Sequence, residues 1–248
     1  MDTLSLSQYH LVYNAFSFTI AVMGAATIFL FLGRSQVSAP YKTAVTISGL
    51  VTAIALYHYL RIFSSWEAAY VLTDGVIKAS GIPFNDAYRY VDWLLTVPLL
   101  LLELILVMRL SAAETVQKGF TLAGLAAIMV ILGYPGEVSS DPNTRWLWWG
   151  LSMIPFLIIV FQLLVGLSKS IDAQPPAARG LVSLARWIIL ITWSFYPVVF
   201  TLPMLGISGS SAVTAVQIGY TIADILAKAA FGIYIWNIAM RKSEASAL

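Results

Sequence analysis

Seven long apolar segments fill this chain of 248 residues almost completely. Each is long enough to cross the roughly 30 Å apolar core of a bilayer, because about 20 residues of α-helix span that distance. Apolar residue types make up 59% of the sequence and charged ones only 10%, which excludes an ordinary soluble domain. We therefore predict an all-α membrane protein, a seven-transmembrane helix bundle that forms a single domain over residues 1–248. The predicted helices are 8–33, 41–64, 86–109, 118–138, 146–168, 181–205 and 212–240.

The connections between these segments are mostly short and leave no room for a soluble enzymatic or signalling domain. The longest, 67–86, contains Asp74-Gly75 between alternating apolar residues, and Asp-Gly is a strong β-hairpin signal. We therefore predict a short outer β-hairpin between helices two and three. The connection 169–180 contains two adjacent prolines, and we predict that it is flexible.

The basic residues are distributed unevenly between the two ends of the segments. If the N-terminus lies outside, the cytoplasmic side holds nine lysines and arginines, whereas the outer connections hold only Lys78 and Arg145. This excess predicts an outer N-terminus and a cytoplasmic C-terminus. Because topology explains the basic residues, the net charge of +2 gives no reason to expect a nucleic-acid partner. The nine are Arg34, Lys42, Arg109, Lys118, Lys169, Arg179, Arg186, Arg241 and Lys242.

Lys228 lies near the middle of the last apolar segment, and Asp224 precedes it by one helical turn. An ionisable side chain at this depth is costly and usually marks a functional site in a membrane protein. A buried lysine beside a carboxylate can hold an aldehyde as a Schiff base, because desolvation favours the neutral amine and the carboxylate stabilises the iminium. The alternative is a structural ion pair between Lys228 and Asp224 that holds the bundle together.

The third segment carries polar residues on one face. At about 100° per residue, Asp92, Thr96 and Glu103 lie within roughly 40° of one another. Asp92 and Glu103 are about 16 Å apart along the helix axis, so one carboxyl lies near mid-membrane and the other towards the cytoplasm. Arg89 lies one turn outward from Asp92, whereas desolvation among leucines favours a neutral Glu103. The pattern indicates a directional proton path. The alternative for Glu103 is a structural carboxyl bonded to a backbone carbonyl.

Large aromatic residues could flank a long apolar ligand that lies across the bundle, although single aromatics of this kind more often pack in a helix core. The sequence contains no cysteine, and we predict no metal site. The aromatic candidates are Trp93, Trp149, Trp193, Tyr196 and Phe200.

Three motifs in these segments together resemble those of microbial rhodopsins, and the similarity covers essentially the whole chain. Four further motifs are similar to those of the xanthorhodopsin and proteorhodopsin branch. The first three are Arg89-Tyr-Val-Asp92-Trp93-Leu-Leu-Thr96-Val-Pro98, Trp193-Ser-Phe-Tyr196-Pro197 and Asp224-Ile-Leu-Ala-Lys228. The other four are Tyr57-His58-Tyr59-Leu-Arg61-Ile, Ser65-Trp66-Glu67-Ala-Ala-Tyr70, Phe84-Asn85-Asp86-Ala-Tyr88 and Gly133-Tyr134-Pro135-Gly136-Glu137.

The resemblance implies seven helices around all-trans retinal, bound as a protonated Schiff base on Lys228. Leu100 stands at the position that separates green- from blue-absorbing relatives, and it predicts green absorption. The retinal-binding residues that the resemblance implies besides Lys228 are Trp93, Trp149, Trp193, Tyr196, Pro197, Phe200, Tyr59, Leu100, Met129 and Gly133.

The resemblance also implies roles along a proton path. Asp92 is expected to be the counterion and proton acceptor, and Glu103 the donor that re-protonates the Schiff base from the cytoplasm. Asp224 is expected to be the second counterion, held by Tyr59 and Tyr196. The remaining expected roles are a hydrogen bond near Asp92 from Thr96, gating of the outer side by Arg89, and pairing with Asp92 by His58.

The chain departs from its relatives at three points. Trp149 aligns with a glycine that opens a window onto the retinal ring in carotenoid-binding members, which argues against a carotenoid antenna. Phe200 replaces the usual Trp or Tyr of the pocket, which affects the expected colour. The outer connection 206–211 has no carboxylate, so the paired glutamate release group of some relatives is missing, and Glu137 or Glu67 becomes the candidate.

We therefore predict a light-driven outward proton pump, a transporter rather than an enzyme. A photosensor that signals through a partner protein is the main alternative, but sensory members usually lack a carboxylic donor such as Glu103. Anion or sodium pumps alter the Asp92 motif, and a non-photoactive transporter or chemoreceptor would bind no retinal. The expected setting is the cell membrane of a prokaryote, where the chain contacts the lipid bilayer, moves protons and forms a homo-oligomer, a pentamer or trimer.

Overall fold

The computed structural model describes residues 3–73, 75–207 and 209–245. Within these ranges seven helices are long and apolar enough to cross a membrane, as predicted. Helices α1 to α4 are Leu6–Gly33, Lys42–Ala69, Ala87–Met108 and Ala112–Glu137. The last three spans, α5 to α7, are Pro142–Asp172, Pro176–Leu205 and Gly209–Ala245.

Three of these spans are not α-helix throughout. Span α5 contains a π-helical segment, Gln162–Gly166, and α7 contains another, Ile225–Ala230. Span α6 ends in a 3-10 turn, Leu202–Leu205. The segment in α7 includes the predicted functional lysine, and π-helical turns inside α-helices frequently mark functional sites.

Two helices begin earlier than hydropathy predicts, because a polar side chain caps each start. Helix α4 begins before residue 118 because the hydroxyl of Ser111 accepts a 3.3 Å hydrogen bond from the backbone N–H of Glu114. Span α5 begins before residue 146, where the carboxylate of Asp141 accepts from the backbone N–H and the hydroxyl of Thr144, at 2.8 and 2.6 Å. These two donors, the hydroxyl foremost, hold the pKa of Asp141 below its usual range.

The prediction of a flexible connection over 169–180 is wrong. Most of this stretch is helical, since α5 continues to Asp172 and α6 begins at Pro176. Proline suits the first turn of a helix, where its missing N–H needs no partner. Gln174, between the two spans, is buried and donates to the backbone carbonyl of Met108 at 3.1 Å, which ties the connection to the end of α3.

A two-stranded antiparallel sheet connects α2 to α3, as predicted. Strand β1 is Tyr70–Thr73 and β2 is Val76–Ala79. Asp74 of the predicted turn lies outside the described residues, whereas Gly75 has a φ of 77°, which glycine adopts without strain. The sheet follows α2 directly, because α2 continues to Ala69 instead of ending at residue 64.

The hairpin lies at the end of the bundle where the chain begins. The backbone N–H of Leu4 donates to the carbonyl of Ile77 at 3.0 Å, next to the start of α1. We call this end the hairpin face. The other end, where residues 34–41 and 109–111 connect helices, is called the opposite face.

Helices α3 and α7 form the interior of the bundle. Helix α3 packs against α2, α4 and α7, and α7 also packs against α1, α2 and α6. Together they carry all the charged residues that the sequence predicts within the membrane. Each of these is at most 2% exposed: Arg89, Asp92, Glu103, Asp224 and Lys228. Charges buried this deeply are tolerated when they are paired or hydrogen-bonded, so their partners decide what they can do.

Candidate functional site

Lys228 provides the centre of the site. It lies in the π-helical segment of α7, and its side chain is 1% exposed. Its amine contacts Oδ2 of Asp92 on α3 and lies 2.9 Å from Oδ1 of Asp224. The structure therefore brings together the lysine and the two mid-membrane carboxylates that the sequence predicts, with one positive and two negative charges in direct contact.

Asp224 is held by three aromatic side chains. The hydroxyl of Tyr59 donates to Oδ2 at 2.8 Å, and the hydroxyl of Tyr196 donates to Oδ1 at 2.7 Å. The indole N–H of Trp93 donates to Oδ1 at 3.1 Å, and Arg89 lies 3.7 Å from Oδ2. Both tyrosine contacts match the predicted arrangement. These donors stabilise a fixed carboxylate.

Asp92 is held far less tightly. Its Oδ2 contacts Lys228, but its Oδ1 has no hydrogen-bond partner among residues 3–73, 75–207 and 209–245. The hydroxyl of Thr96 donates to the backbone carbonyl of Asp92 at 2.8 Å rather than to its carboxylate. The acceptor candidate therefore keeps a free oxygen in a buried site.

His58 approaches Asp92 without bonding to it. Its Nδ1 lies 3.7 Å from Oδ1 of Asp92 and 2.9 Å from the backbone carbonyl of Ile54. A nitrogen at hydrogen-bond distance from a carbonyl must carry the proton, so the ring is oriented by its own helix. The predicted pair is thus a close contact in this structure and not a hydrogen bond.

Glu103 lies in α3 between Asp92 and the opposite face of the bundle. It is 0% exposed, and neither carboxyl oxygen has a hydrogen-bond partner within the described part of the chain. The neighbouring hydroxyl of Ser48 donates to the backbone carbonyl of Ala44 at 3.3 Å instead. A buried carboxyl with no cation beside it and no hydrogen bond to its oxygens is disfavoured as an anion.

Arg89 has a partner that the sequence reasoning missed. Its Nη2 donates to Oε1 of Gln217 at 2.6 Å, and its Nη1 donates to the hydroxyl of Tyr59 at 3.2 Å. Gln217 is 5% exposed on α7. A signal was available, because Gln217 precedes Asp224 by seven residues and therefore lies on the same helix face.

An apolar cavity adjoins Lys228. Its empty volume is about 730 Å³, counting all space between atoms up to its open mouth. Tyr59, predicted to belong to the pocket, does not border it and holds Asp224 instead. The other predicted pocket residues all line the cavity: Trp93, Leu100, Met129, Gly133, Trp149, Trp193, Tyr196, Pro197 and Phe200.

The sequence reasoning missed several other residues of the cavity wall. Helical spacing could have identified most of them. Ser152, Met153 and Phe156 follow Trp149 on the same helix face, and Tyr90 and Val97 lie about one turn from Trp93. Cavity walls with this composition and a single amine suit a long apolar aldehyde. The missed residues are Ser152, Met153, Phe156, Tyr90, Val97, Val130 and Tyr220.

The family of bacteriorhodopsin-like proteins matches residues 11–242. The chain belongs to this family. The green-light absorbing proteorhodopsin of Gamma-proteobacterium EBAC31A08 is 33% identical over 236 residues, which are 93% of this chain and 88% of the relative. The match places the chain among multi-pass membrane proteins, as the seven spans require.

Two solved rhodopsins superpose on almost the whole chain. The crystal structure of xanthorhodopsin, a light-driven ion pump with dual chromophore, has a TM-score of 0.95 and 48% identity, over 100% of this chain and 99% of that one. The crystal structure of thermophilic rhodopsin has a TM-score of 0.95 and 45% identity, over 100% of both chains. The predicted rhodopsin fold is confirmed, as is the prediction of a transporter rather than an enzyme.

Proposed function

We propose that this rhodopsin is a light-driven proton pump that carries protons from the opposite face to the hairpin face and out of the cell. The contrast between the two carboxylates beside Lys228 carries the proposal. Asp224 accepts three hydrogen bonds from aromatic side chains, whereas Oδ1 of Asp92 has no partner among the described residues. A carboxylate with a free oxygen beside an amine can take its proton, while a saturated one stays an anion.

The cavity beside Lys228 suits retinal, with Lys228 as the covalent anchor. When bound there, all-trans retinal supplies the absorption of visible light. The apolar walls exclude water from the amine, which strengthens the electrostatic interactions inside. The side chains that would hold the chromophore are Trp93, Leu100, Met129, Gly133, Trp149, Trp193, Tyr196, Pro197 and Phe200.

In this proposal the proton moves from Nζ of Lys228 to the carboxylate of Asp92, which is already in contact. Asp224 acts as the second counterion and keeps its charge. Thr96 orients Asp92 through its bond to the backbone carbonyl, and His58 acts on Asp92 electrostatically from 3.7 Å. Arg89 closes the path towards the hairpin face, since its guanidinium is held by neighbouring side chains.

Glu103 is the proposed donor from the cytoplasmic side. Its carboxyl is buried without a cation or a hydrogen-bond partner within the described ranges, which favours the neutral acid. It lies about 16 Å from Asp92 along α3, a separation that a proton can cross through transient water or side-chain rotation. Acceptor and donor on opposite sides of the amine give the transfer its direction.

The orientation rests on charge. Nine of the lysines and arginines lie towards the opposite face, in its connections or in the adjoining helix ends, whereas Arg61, Lys78 and Arg145 lie towards the hairpin face. The opposite face is therefore proposed to be cytoplasmic, in the cell membrane of a prokaryote. The apolar side chains exposed on the outer surfaces of the helices contact lipid, and we propose a homo-oligomer of three or five copies.

Xanthorhodopsin is an ion pump with dual chromophore, and Trp149 argues that this chain uses only one. Trp149 lines the cavity, and its indole N–H donates to the backbone carbonyl of Pro197 at 3.2 Å. The indole thereby occupies the place where a window would open. Leu100 also lines the cavity, which fits the proposal of green absorption.

The deciding experiment records the pH of a lightly buffered suspension of cells that express the protein with retinal, during green illumination. We expect acidification that a protonophore abolishes, and its loss in Asp92→Asn, which keeps the shape of the acceptor. Alkalinisation enhanced by the protonophore would overturn outward proton pumping. A visible pigment without any pH change would favour a photosensor that signals through a partner protein.

A further inference from the structure

A second group of buried polar side chains lies between the core and the hairpin face, and the proton path described so far does not use it. It centres on Glu137 at the end of α4, whose side chain is 8% exposed. The hydroxyl of Tyr220 lies 3.4 Å from its Oε2, and the hydroxyl of Tyr90 lies 3.5 Å from the same atom. Helices α3, α4 and α7 thus meet at one carboxyl.

Arg145 of α5 is fixed beside this carboxyl. Its Nη2 lies 3.8 Å from Oε2 of Glu137, while its Nη1 donates to the backbone carbonyls of Glu137 and Ser139 at 2.8 and 3.3 Å. Its guanidinium also lies 4.7 Å from the ring centre of Phe200. Because backbone carbonyls anchor it, Arg145 stays in place whether the carboxyl of Glu137 is neutral or ionised.

Asp86, just before α3, supplies a second carboxyl to the group. Burial raises its pKa, whereas Arg89, a side-chain hydrogen bond with Gln217 and Arg145 act in the opposite direction. The negative charges of Asp86 and Glu137 repel each other. A second carboxyl near the buried Glu137 disfavours a state in which both groups are ionised.

The group is connected to the core. The hydroxyl of Tyr59 donates to Asp224, and Arg89 donates to the oxygen of that hydroxyl and to Gln217. Gln217 also interacts with Asp86. A series of hydrogen-bonding groups therefore leads from the counterion in the core to Asp86 near the hairpin face.

We propose that Glu137, fixed beside Arg145 and electrostatically coupled to Asp86, forms with Asp86 the exit site that binds the departing proton and passes it to the outer solvent. The proposal rests on the outward pump proposed above and identifies the last protein groups that the proton occupies before it leaves. Each turnover places one proton on the pair and removes one to water, while Arg145 balances the negative charge that remains. Glu67, the other candidate from the sequence, is exposed at the end of α2, where solvent surrounds it.

The test uses the purified, retinal-loaded protein and a pH-indicator dye after a light flash. In Glu137→Gln we expect the proton to appear in the solvent at least 10-fold later than in the wild type, with the visible band unchanged. Asp86→Asn should also delay it. Glu67→Gln, the same substitution at an exposed carboxyl on the same face, should leave the timing within 2-fold. Unchanged timing in both Glu137→Gln and Asp86→Asn would overturn the exit site.

Infrared spectroscopy in the dark gives a second readout that does not depend on pumping. Beside the band of the neutral Glu103, the wild type and Glu67→Gln should show a protonated-carboxyl component that changes with pH, and Glu137→Gln should lack that component. If Glu137→Gln does not fold, Tyr220→Phe keeps the carboxyl and removes one hydroxyl, and the band should move to higher frequency as that hydrogen bond is lost.

The two proposals can fail separately. A wild-type pigment that releases no proton in light would overturn the outward pump, and the infrared band would then decide the site alone. Absence of any band that depends on Glu137 would overturn the exit site, even in a protein that pumps.

Discussion

The amine of Lys228 on α7 contacts the carboxylate of Asp92 on α3, although 136 residues separate them in the sequence. The same amine lies 2.9 Å from Asp224, one helical turn away. Charged groups at this depth are tolerated only when they converge, because an isolated one is costly. The contact therefore fixes α3 against α7 and at the same time places the amine that lines the cavity beside its proposed proton acceptor.

Replacement of Lys228 by arginine keeps the positive charge at this position but removes the amine that would form the covalent bond. A guanidinium keeps a cation near both carboxylates but stays protonated, so it cannot form the covalent bond. We expect Lys228→Arg to insert and purify without developing a visible band when retinal is added. Lys118→Arg is the control, since Lys118 donates to the backbone carbonyl of Gly166 away from the cavity. A normal pigment in Lys228→Arg would refute the anchor.

Replacement of Glu103 by glutamine removes the proposed donor while keeping its shape. A positioned acid typically contributes 10²- to 10⁴-fold to proton transfer, so we expect recovery of the dark state after a flash to slow by about 100-fold. Flash photolysis at the wavelength of the visible band measures this rate. Glu114→Gln, the same change at an exposed carboxylate on the opposite face, should have no effect. An unchanged recovery in Glu103→Gln would exclude the donor role.

Two tyrosines should contribute to stability through Asp224. Tyr59→Phe and Tyr196→Phe each remove one hydrogen bond to a buried carboxylate, and such bonds are worth about 1.5–3 kcal/mol. Thermal denaturation followed by circular dichroism should show a lower midpoint for both. In the matched control, Tyr234→Phe removes a buried hydroxyl that has no hydrogen-bond partner among the described residues, so no loss is expected. Equal effects at all three positions would contradict the argument.

The fold follows from the sequence because a bilayer restricts the choice of structure. Backbone groups in lipid must pair within the segment, so apolar runs of this length can only be helices. The predicted helices were wrong mainly at their ends, where Ser111 and Asp141 begin helices earlier than hydropathy indicates. Span α6 also begins earlier than predicted, at Pro176. Hydropathy averages over many residues, whereas a single hydrogen bond decides a cap.

The site was predictable where residues follow helical spacing or a family motif. Asp92 and Lys228, which the structure brings into contact, were identified this way, whereas the role of Glu103 stays a prediction. Contacts that no motif describes were not predictable, because they depend on side-chain orientation: Arg89 donates to Gln217 on α7, and His58 bonds its own helix rather than Asp92. Residue spacing within a single helix does not predict such contacts.

The packing of α7 against α6 should depend on the missing side chain of Gly219. A Cβ at this position would lie 2.7 Å from Cγ2 of Val199 and 3.2 Å from its Cγ1. Valine is β-branched and restricted at χ1, so it cannot turn away without moving the helix. We expect Gly219→Ala to destabilise the protein by about 1–3 kcal/mol, the usual cost of overpacking.

Gly124 offers the matched control for this last substitution. It is exposed on α4, and a Cβ there would meet nothing within 4 Å. Alanine favours a helix over glycine by up to about 1 kcal/mol, so Gly124→Ala should be neutral or stabilising. The thermal loss of the visible band in the two variants measures the difference, because retinal stays bound only while the helices remain packed. If both variants lose the pigment at the same temperature as the wild type, close packing at Gly219 does not hold α6 and α7 together.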